Sequence, residues 1–591
     1  MSQATSDARP NFAAQAVPSW RRWVVLGVLG LGAGVVFARA FQLQVLQRDF
    51  LVQEGDKRHI RTLVIPGHRG AIRDRRGEPL ALSAPVEMIW AVPAALLESP
   101  QHVYAVAKLL NRNPKDLQDF LRERIDRKFV YISDPVSPAE AERVLSLKAP
   151  GVFSEPSYAR YYPAGEVAGQ VVGFCGRDGR GQEGLELAQE AALAGKAGSR
   201  RVIRDRAGRV VEDDLDSKDA LAGKDLTLTL DLRIQYLAYR ELKAAVARNN
   251  ARGGLVMVAD SKTGEILAMA SQPGFNPNNV DDRKGGGARN RAVTDSFEPG
   301  STVKPLLISQ ALELGLYQPG SHVDTTPGIL KVGALTVHDE HPQGDIDLKT
   351  VLSKSSNVGA AKIGLTLGAQ AVWAGYQRFG LGDPVYLGFP GEATPVLRPY
   401  SEWGQIATAT ASYGYGISFT ALHLVRAYSA LANDGLMPQL HLLQTANTVP
   451  PQRVVSATVA SEMRELMEGV VQAGGTAQRA AIPGYRVAGK TGTTRRQAEG
   501  GGYDDKLHQS IFVGMLPAQH PRLVGLVMID APSAGDYYGG LVAAPVFSTV
   551  MQGAARLLRI PPDQMNLPPT PVAAPALPRQ TVALPPKAPQ T

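Results

Sequence analysis

The chain is poor in several features that would point to other classes of protein. It contains one cysteine, Cys175, so no disulfide can form within the chain, and this residue is typical of a small buried apolar side chain. The net charge of +8 is mild and is spread along the sequence without a lysine-rich run. No RNA- or DNA-binding motif accompanies that charge, so we expect no nucleic acid among its ligands.

Composition and length describe a globular protein with several parts. Apolar residues make up 44% of the chain and charged residues 20%, which is typical of proteins with a real hydrophobic core. At 591 residues the chain is too long for one ordinary domain, and its length suggests about three or four units. Residues 561–591 are rich in proline and alanine and cannot bury a core, so we expect an extended or disordered tail there.

One long hydrophobic run lies near the N-terminus. The residues from Trp23 to Ala38 are uncharged and apolar, and the run continues past Arg39 to Leu43. This pattern predicts a transmembrane anchor over residues 23–43, preceded by a cytoplasmic stretch at 1–22. A cleaved signal peptide is the alternative, because Ala38-Arg39-Ala40 matches an A-x-A cleavage site; the run is slightly longer than a normal signal-peptide core, which favours the anchor.

The first chemical motif is Ser301-Thr302-Val303-Lys304. A serine hydroxyl is a poor nucleophile at neutral pH and needs an adjacent unprotonated base, which Lys304 can supply. A turn precedes Ser301 and helical apolar spacing follows it, so the two side chains should share one face of a helix start. Unpaired N–H groups at that helix start favour negative charge on the Ser301 oxygen and on a tetrahedral intermediate.

Two further motifs follow along the chain, and each supplies groups that acyl transfer needs. The Ser355 hydroxyl and the Asn357 amide, in Ser355-Ser356-Asn357, can relay a proton and hold a substrate amide. Lys490-Thr491-Gly492-Thr493 reads as a strand in which Gly492 lets a ligand backbone approach. Lys490 and the two threonine hydroxyls suit a substrate carboxylate, and the Thr493 and Ser301 N–H groups suit an oxyanion hole. Each motif alone is weak, but the ordered triple indicates an acyltransferase.

The triple resembles the serine penicillin-recognising acyltransferases, and Ser-Ser-Asn in the middle fits penicillin-binding proteins better than β-lactamases. Upstream motifs resemble class B, monofunctional members, and other strings resemble the division-specific peptidoglycan D,D-transpeptidases of Gram-negative bacteria. The class B strings are Arg69–Gly77, Arg160–Gly165 and Gly184–Glu186, and the division-type strings are Asp205–Asp213, Tyr239–Leu242 and Tyr537–Gly540.

The resemblance implies a fold and a domain order. It implies an elongated noncatalytic pedestal of the penicillin-binding protein dimerisation type over 44–225 and a transpeptidase domain over 226–560. An alternating pattern at 225–230 predicts a strand, and apolar strands at 254–258 and 266–270 are expected to form a hairpin. With further strands at 510–515 and 523–529 and helical patterns around 307–316, 348–365 and 421–432, the sequence predicts an α+β domain whose antiparallel sheet is flanked by helices. Charged residues such as Arg73, Asp74 and Arg75 are expected to form structural ion pairs in the pedestal.

The resemblance also implies ligands and a location. It implies cross-linking of peptidoglycan stem peptides at the septum, acylation by β-lactam antibiotics, and an inner-membrane anchor with the catalytic domain in the periplasm. Its implied partners are a membrane lipid-II polymerase and other divisome proteins. No cofactor or metal is expected, since His338-Asp339-Glu340-His341 lacks the H-E-x-x-H spacing and lies in a loop sequence.

Two other functions would use the same residues. A D,D-carboxypeptidase would deliver the acyl group to water, and the sequence does not exclude it because acceptor choice depends on the shape of the cleft. A noncatalytic β-lactam sensor or scaffold would keep acylation while its output lay elsewhere, although no signalling domain is apparent in the N-terminal stretch. A β-lactamase is disfavoured because it seldom carries such a large pedestal.

Overall fold

A computed structural model describes residues 19–51, 60–65, 67–176, 178–204, 210–213, 217–444, 449–497 and 502–564. The first residues of the predicted cytoplasmic stretch, part of the Asp205–Asp213 string and most of the proline- and alanine-rich tail lie outside these ranges. By its contacts the chain divides into two units, Met1–Gly67 with Lys196–Leu221, and His68–Gly195 with Ala222–Thr591. The second unit therefore joins much of the predicted pedestal to the catalytic region, while the predicted domain boundaries stay predictions.

The first unit contains the apolar helix, Ser19–Phe41, which continues as a π-helical turn over Gln42–Leu46. The 27-residue stretch Trp20–Leu46 is long and apolar enough to cross a membrane, and its side chains have no protein around them. The same unit holds an antiparallel sheet of Ile60–Ile65, Gly198–Arg204 and Val210–Asp213, in that order.

The pedestal part of the second unit is built around two long strands. Pro79–Ala91 and Val152–Tyr161 pair antiparallel, from Leu82 opposite Tyr161 to Ala91 opposite Val152. Four helices pack beside this pair and form a separate small core; they are Pro93–Leu97, Pro100–Leu109, Pro114–Arg122 and Pro138–Ser146. Each begins with proline, whose missing N–H costs nothing in the first turn of a helix.

Buried charges tie this region together. Glu186, which is fully buried, receives Arg69 Nε at 2.5 Å and Arg160 Nε at 2.7 Å. The Asp74 carboxylate, also fully buried, accepts backbone N–H groups of Arg76, Glu78 and Leu232. Asp74 therefore accepts the N–H of the first residue of the helix Leu232–Arg248, a structural role that agrees with the noncatalytic interpretation of this motif.

The catalytic region contains a five-stranded antiparallel sheet, so the predicted fold class is confirmed. Its strands, in spatial order, are Ile266–Gln272, Gly253–Asp260, Leu523–Asp530, Tyr503–Leu516 and Ala488–Gln497. The predicted hairpin and the two later strands all belong to this sheet. All residues of Gly253–Asp260 and Leu523–Asp530 are buried, which requires helices on both faces.

Three helices cover the sheet. Leu232–Arg248 and Ala544–Leu557 pack against each other and against the strands, and Ala421–Ala432 packs on the same central strands. The other α-helices of the region are Arg291–Thr294, Lys304–Glu313, Leu348–Ser353, Asn357–Leu367, Ala369–Arg378, Gln405–Ser412, Ala457–Glu468 and Gly539–Val542. Short strand pairs join His322–Asp324 to Asp345–Asp347, Ile329–Val332 to Leu335–His338 and Leu436–Met437 to Gln452–Arg453.

Two predicted elements differ from the structure. The alternating pattern over Asp225–Leu230 forms only a short strand, Leu226–Thr227, and the next residue, Leu228, makes an isolated bridge to Leu443. The prediction of a single helix over Leu348–Leu365 is wrong, because the helix is interrupted between Ser353 and Asn357. At that break Ser355 takes a φ of 60°, a left-handed conformation that no continuous helix can contain.

Candidate active site

The serine of the first motif lies in a tight turn directly before a helix. Gly300–Val303 forms a 3-10 turn, and Lys304 opens the helix Lys304–Glu313, with proline in its first turn. Gly300 has a φ of 54°, and a Cβ there would lie 2.4 Å from Thr494 Cγ2, so glycine is needed beside the serine. Ser301 is partly exposed, whereas Lys304 is fully buried.

Lys304 is held by the second motif. Its Nζ donates to the Ser355 carbonyl oxygen at 2.6 Å and to Asn357 Oδ1 at 2.8 Å, and it lies 3.3 Å from Ser355 Oγ. A neutral amine has two N–H groups and one lone pair. The carbonyl and the amide oxygen can take both N–H groups of this form, whereas the longer bond, in which Lys304 Nζ donates to Ser355 Oγ, uses the third N–H of the protonated form.

Ser355 joins the three motifs. A hydrogen bond of 2.9 Å links its Oγ to Ser301 Oγ, and Lys490 Nζ lies 3.0 Å from the same Ser355 oxygen. The described residues show no direct hydrogen bond between Ser301 and Lys304 side chains, so Ser355 is the connecting group. The left-handed conformation of Ser355 directs both its carbonyl and its hydroxyl at the site, which explains why the helix must break there.

Burial controls the charge of the two lysines. The pKa of Lys304 falls well below its usual value, mainly through burial and secondly through the neighbouring Lys490, while Asp339 opposes the shift. Burial also lowers the pKa of Lys490 to about 7. A lysine poised near neutrality can exist as a free amine at physiological pH, which is the state that a base for serine requires.

The third motif forms the edge strand of the sheet, Ala488–Gln497, beside the serine turn. Lys490 Nζ donates to the carbonyl oxygen of Thr491 at 3.2 Å, and Thr491 Oγ1 lies 3.0 Å from Thr476 Oγ1. Thr493 Oγ1 accepts the Gly539 N–H at 3.1 Å. The Thr491 and Thr493 hydroxyls thus already have protein partners, and binding of a substrate carboxylate by these hydroxyls stays a prediction.

Packing also explains why residue 492 is a glycine. A Cβ at this position would lie 2.9 Å from Thr302 Cγ2 and 3.1 Å from the Pro299 oxygen. Both atoms belong to the segment that carries Ser301, so the glycine permits the edge strand to pack closely against the serine turn. The expected approach of a ligand backbone at Gly492 is a prediction that these contacts do not test.

Asp339 is the residue that reasoning from the sequence missed. Its carboxylate accepts Ser356 Oγ–H and the Asn357 N–H, each at 2.6 Å, and the Val358 N–H at 2.9 Å. It therefore caps the helix Asn357–Leu367 and fixes the second motif. In the sequence Asp339 belongs to the cluster His338-Asp339-Glu340-His341, which we considered as a set of metal ligands and rejected.

The structure brings all eight predicted site residues together around the serine turn. Hydrogen bonds connect Ser301, Lys304, Ser355, Asn357, Lys490 and Thr491 into one cluster. Thr493 lies on the same strand and binds Gly539, and Gly492 packs on the serine turn. Within the described ranges no three histidine, cysteine, aspartate or glutamate side chains are grouped closely enough to hold a metal ion.

Comparison with known proteins agrees with this geometry. Residues 254–552 match the model of the penicillin-binding protein transpeptidase domain, and residues 64–228 match the penicillin-binding protein dimerisation domain. Over 548 residues the chain is 40% identical to a probable peptidoglycan D,D-transpeptidase, PbpC, of Pseudomonas aeruginosa, covering 93% of this chain and 97% of that protein.

Two further comparisons span most of the chain. The peptidoglycan D,D-transpeptidase FtsI of Escherichia coli is 38% identical over 553 residues, with 93% of each chain covered. The crystal structure of penicillin-binding protein 3 from Mycobacterium tuberculosis in complex with aztreonam has a TM-score of 0.67 and 29% identity, covering 85% of this chain and 98% of that one. With a transpeptidase domain, a dimerisation domain and full-length relatives of this kind, the chain belongs to the class B penicillin-binding proteins.

Proposed function

We propose that this protein is a septal peptidoglycan D,D-transpeptidase that carries the acyl group on Ser301. The observation that carries the proposal is the hydrogen-bonded path from Ser301 Oγ through Ser355 Oγ to two buried lysines of lowered pKa. The names of the relatives, peptidoglycan D,D-transpeptidases that include a cell-division FtsI, support the same reaction.

The first half-reaction forms an ester. Ser301 Oγ attacks the carbonyl carbon of the amide between the two terminal D-alanines of a stem peptide, while its proton passes through Ser355 to the free amine of Lys304. The N–H groups of Ser301 and Thr493 are proposed to hold the oxyanion. When the C–N bond breaks, the proton returns through Ser355 to the departing D-alanine nitrogen, which leaves as an amine.

The second half-reaction transfers the acyl group. The side-chain amine of a neighbouring stem peptide, proposed to be diaminopimelate, attacks the ester carbon, and Lys304 or Ser355 accepts the amine proton. The C–O bond breaks, Ser301 recovers its proton, and the new amide is the cross-link. A β-lactam carbonyl enters the first half in the same way and stalls in the second, because its leaving nitrogen stays attached to the acyl group.

The remaining residues are proposed to bind the substrate. Asn357, whose Oδ1 accepts from Lys304, has its amide nitrogen 3.4 Å from the His338 carbonyl oxygen and can exchange this long bond for the substrate amide. Lys490, with Thr491 and Thr493 on the edge strand, is placed to receive the terminal carboxylate of the donor peptide or the carboxylate of a β-lactam.

The location is proposed from the apolar helix and the relatives. Trp20–Leu46 would anchor the protein in the inner membrane, with the catalytic region in the periplasm where peptidoglycan lies. Partners proposed from the family resemblance are a membrane lipid-II polymerase and other divisome proteins. The anchor would keep the catalytic region near a membrane-bound source of donor strands.

Intact mass spectrometry of the purified full chain after exposure to a penicillin tests the nucleophile. We expect one adduct of the mass of the intact drug, lost in Ser301→Ala and kept in Ser296→Ala, a control at an exposed neighbouring serine that bonds only Ser418. The second step is to supply a thioester donor with and without a D-amino acid acceptor and to separate the products.

Each outcome distinguishes one function. A product that appears only with the acceptor supports the transpeptidase. Hydrolysis alone, at the same rate with and without acceptor, would identify a carboxypeptidase, and an adduct without turnover of any donor would identify a β-lactam-binding sensor. No adduct on Ser301 would refute the proposed nucleophile.

A further inference from the structure

Arg426 is a partly buried cation without a partner. It lies in the helix Ala421–Ala432, and its Nε is fully buried. Within the described part of the chain its guanidinium makes no hydrogen bond and no ion pair, and burial lowers its pKa although Asp383 acts in the opposite direction. Because Nε is enclosed by protein, the N–H groups on the two Nη atoms are the donors that a ligand in the cavity could reach.

Other buried arginines of this protein have hydrogen-bond and ion-pair partners. Arg69 pairs with Glu186 and Glu190, and Arg464 pairs with Asp434 and donates to the Leu431 carbonyl. Withdrawing a charge from water without a compensating partner is costly, and proteins normally pair such groups. The exception at Arg426 therefore suggests a counter-ion that comes from outside the chain.

Arg426 lines a cavity of about 450 Å³ that contains no residue of the three catalytic motifs. The cavity is polar: its other walls include Gln377, Arg378, Asp383, Gln439 and Gln452. A volume of this size falls within the range of small-molecule sites. Its two arginines outnumber its one carboxylate, so the cavity has a net positive charge.

The walls hold the Arg426 guanidinium open to the cavity. A Cβ on Gly380 would lie 3.3 Å from Arg426 Nη1, and Gly380 has a φ of 73°, so a side chain here would be both strained and crowded. Asp383, which could have neutralised the arginine, instead accepts the Gln377 amide at 3.1 Å. Arg378 is likewise engaged, with Gln310.

We propose that this cavity is a binding site for a small oxyanion ligand, a molecule carrying a carboxylate or a phosphate group, with Arg426 as its counter-ion. The planar fork of the guanidinium matches both groups in a bidentate arrangement. Gln452, at the same cavity, offers its amide group to the rest of the ligand, whereas the Gln439 amide nitrogen already donates to the Val385 carbonyl oxygen. The site is separate from the acyl-transfer reaction and does not depend on it.

The first test is isothermal titration calorimetry on the full chain in detergent with three probes: inorganic phosphate, acetate and D-alanine, each at ionic strength matched with chloride. We expect saturable binding of at least one probe. Arg426→Gln should weaken it about tenfold or more, since a hydrogen bond to a charged group is lost. Arg398→Gln, an exposed arginine outside the cavity, should bind as the unaltered protein does.

The probes separate the sources of the ligand. Phosphate binding alone would indicate a phosphorylated ligand, and binding of acetate or D-alanine a carboxylate. A second measurement needs no variant: phosphate or D-alanine should slow the modification of Arg426 by phenylglyoxal, read by peptide mass spectrometry, and should leave Arg398 unaffected. No saturable binding by any probe, equal binding by folded Arg426→Gln, or unprotected Arg426 would overturn the proposal.

Discussion

Asp339 offers a sharp test of how the site is built, because it contacts none of the proposed reacting atoms. Its carboxylate accepts three hydrogen bonds from the second motif, from Ser356 Oγ, Asn357 N and Val358 N. In Asp339→Asn one carboxylate oxygen becomes an amide nitrogen, which donates and cannot accept. At least one of the three donors then loses its partner, while the volume of the side chain hardly changes.

The expected size of the effect follows from those hydrogen bonds. A hydrogen bond to a charged group contributes about 1.5–3 kcal/mol, so replacing the carboxylate by an amide should destabilise the site by about 2 kcal/mol. Ser355 depends on this support, because its φ of 60° is an unfavourable backbone conformation that its surroundings must maintain. Since 1.36 kcal/mol is a factor of ten in rate, acylation should fall about 10- to 100-fold.

The same change has an electrostatic consequence. Burial and Lys490 lower the pKa of Lys304, and Asp339 raises it. Removing the charge of Asp339 therefore lowers the pKa of Lys304 further, and more of the lysine is a free amine at any given pH. The rise of the acylation rate on the acid side should consequently shift to lower pH, even though the maximal rate is reduced.

The assay is the second-order rate of acylation by a fluorescent penicillin between pH 5.5 and 8.5, together with the melting temperature. Asp347→Asn is a matched control, because Asp347 caps a neighbouring helix through the Thr350 N–H and makes no contact with the motif residues. The reasoning is refuted if Asp339→Asn acylates at the rate of the unaltered protein, or if Asp347→Asn slows acylation as much.

Three further predictions concern the motifs. Ser355→Ala removes the connecting hydroxyl and should slow acylation about 10²- to 10⁴-fold with the fold intact, measured by penicillin labelling and circular dichroism. Lys490 binds a proton in the unfolded chain up to about pH 10.4 but in the folded protein only below about 7, so above pH 7 this group should raise the free energy of unfolding by up to about 1.4 kcal/mol per pH unit. The melting temperature should rise with it, and Lys490→Met should reduce that rise without abolishing it, since Lys304 also has a lowered pKa. Gly492→Ala should cost about 1–3 kcal/mol and lower the melting temperature by crowding Thr302, whereas Gly286→Ala, with open space around its Cβ, should not.

Contrary results for these three are equally definite. Near-normal acylation by Ser355→Ala would mean that Ser301 passes its proton to Lys304 directly. A pH dependence of melting that is unchanged in Lys490→Met would place the titrating group elsewhere. Equal melting temperatures for Gly492→Ala and the unaltered protein would mean that the edge strand and the serine turn can separate without cost.

Much of the candidate site could be predicted from the sequence because its three motifs are local patterns of residues. Ser301 and Lys304 are one helical turn apart, so local spacing alone brings their side chains to one face. The hairpin at 254–270 and the strands after the third motif were predicted for the same reason, since alternation and turn residues are local signals. Asp339 was missed because a single aspartate becomes informative only when its three donors are known.

The interruption of the helix between Ser353 and Asn357 could not be predicted from the local sequence pattern. Apolar spacing continues across it, and the prediction of one helix failed because contacts with distant residues, not propensity, hold Ser355 in its left-handed conformation. Lys304, Asn357 and Lys490 converge there from three elements far apart in the chain.

The sequence by itself determined which groups are present, their order, and the apolar helix long enough to cross a membrane, since these depend on residue type and near-neighbour spacing. Only the tertiary structure decided how those groups act. Burial lowers the pKa values of both Lys304 and Lys490, and the neighbouring Lys490 lowers that of Lys304 further; desolvation is a property of the surrounding fold. The unpaired charge of Arg426 is likewise visible only when every neighbour that could have neutralised it is in place.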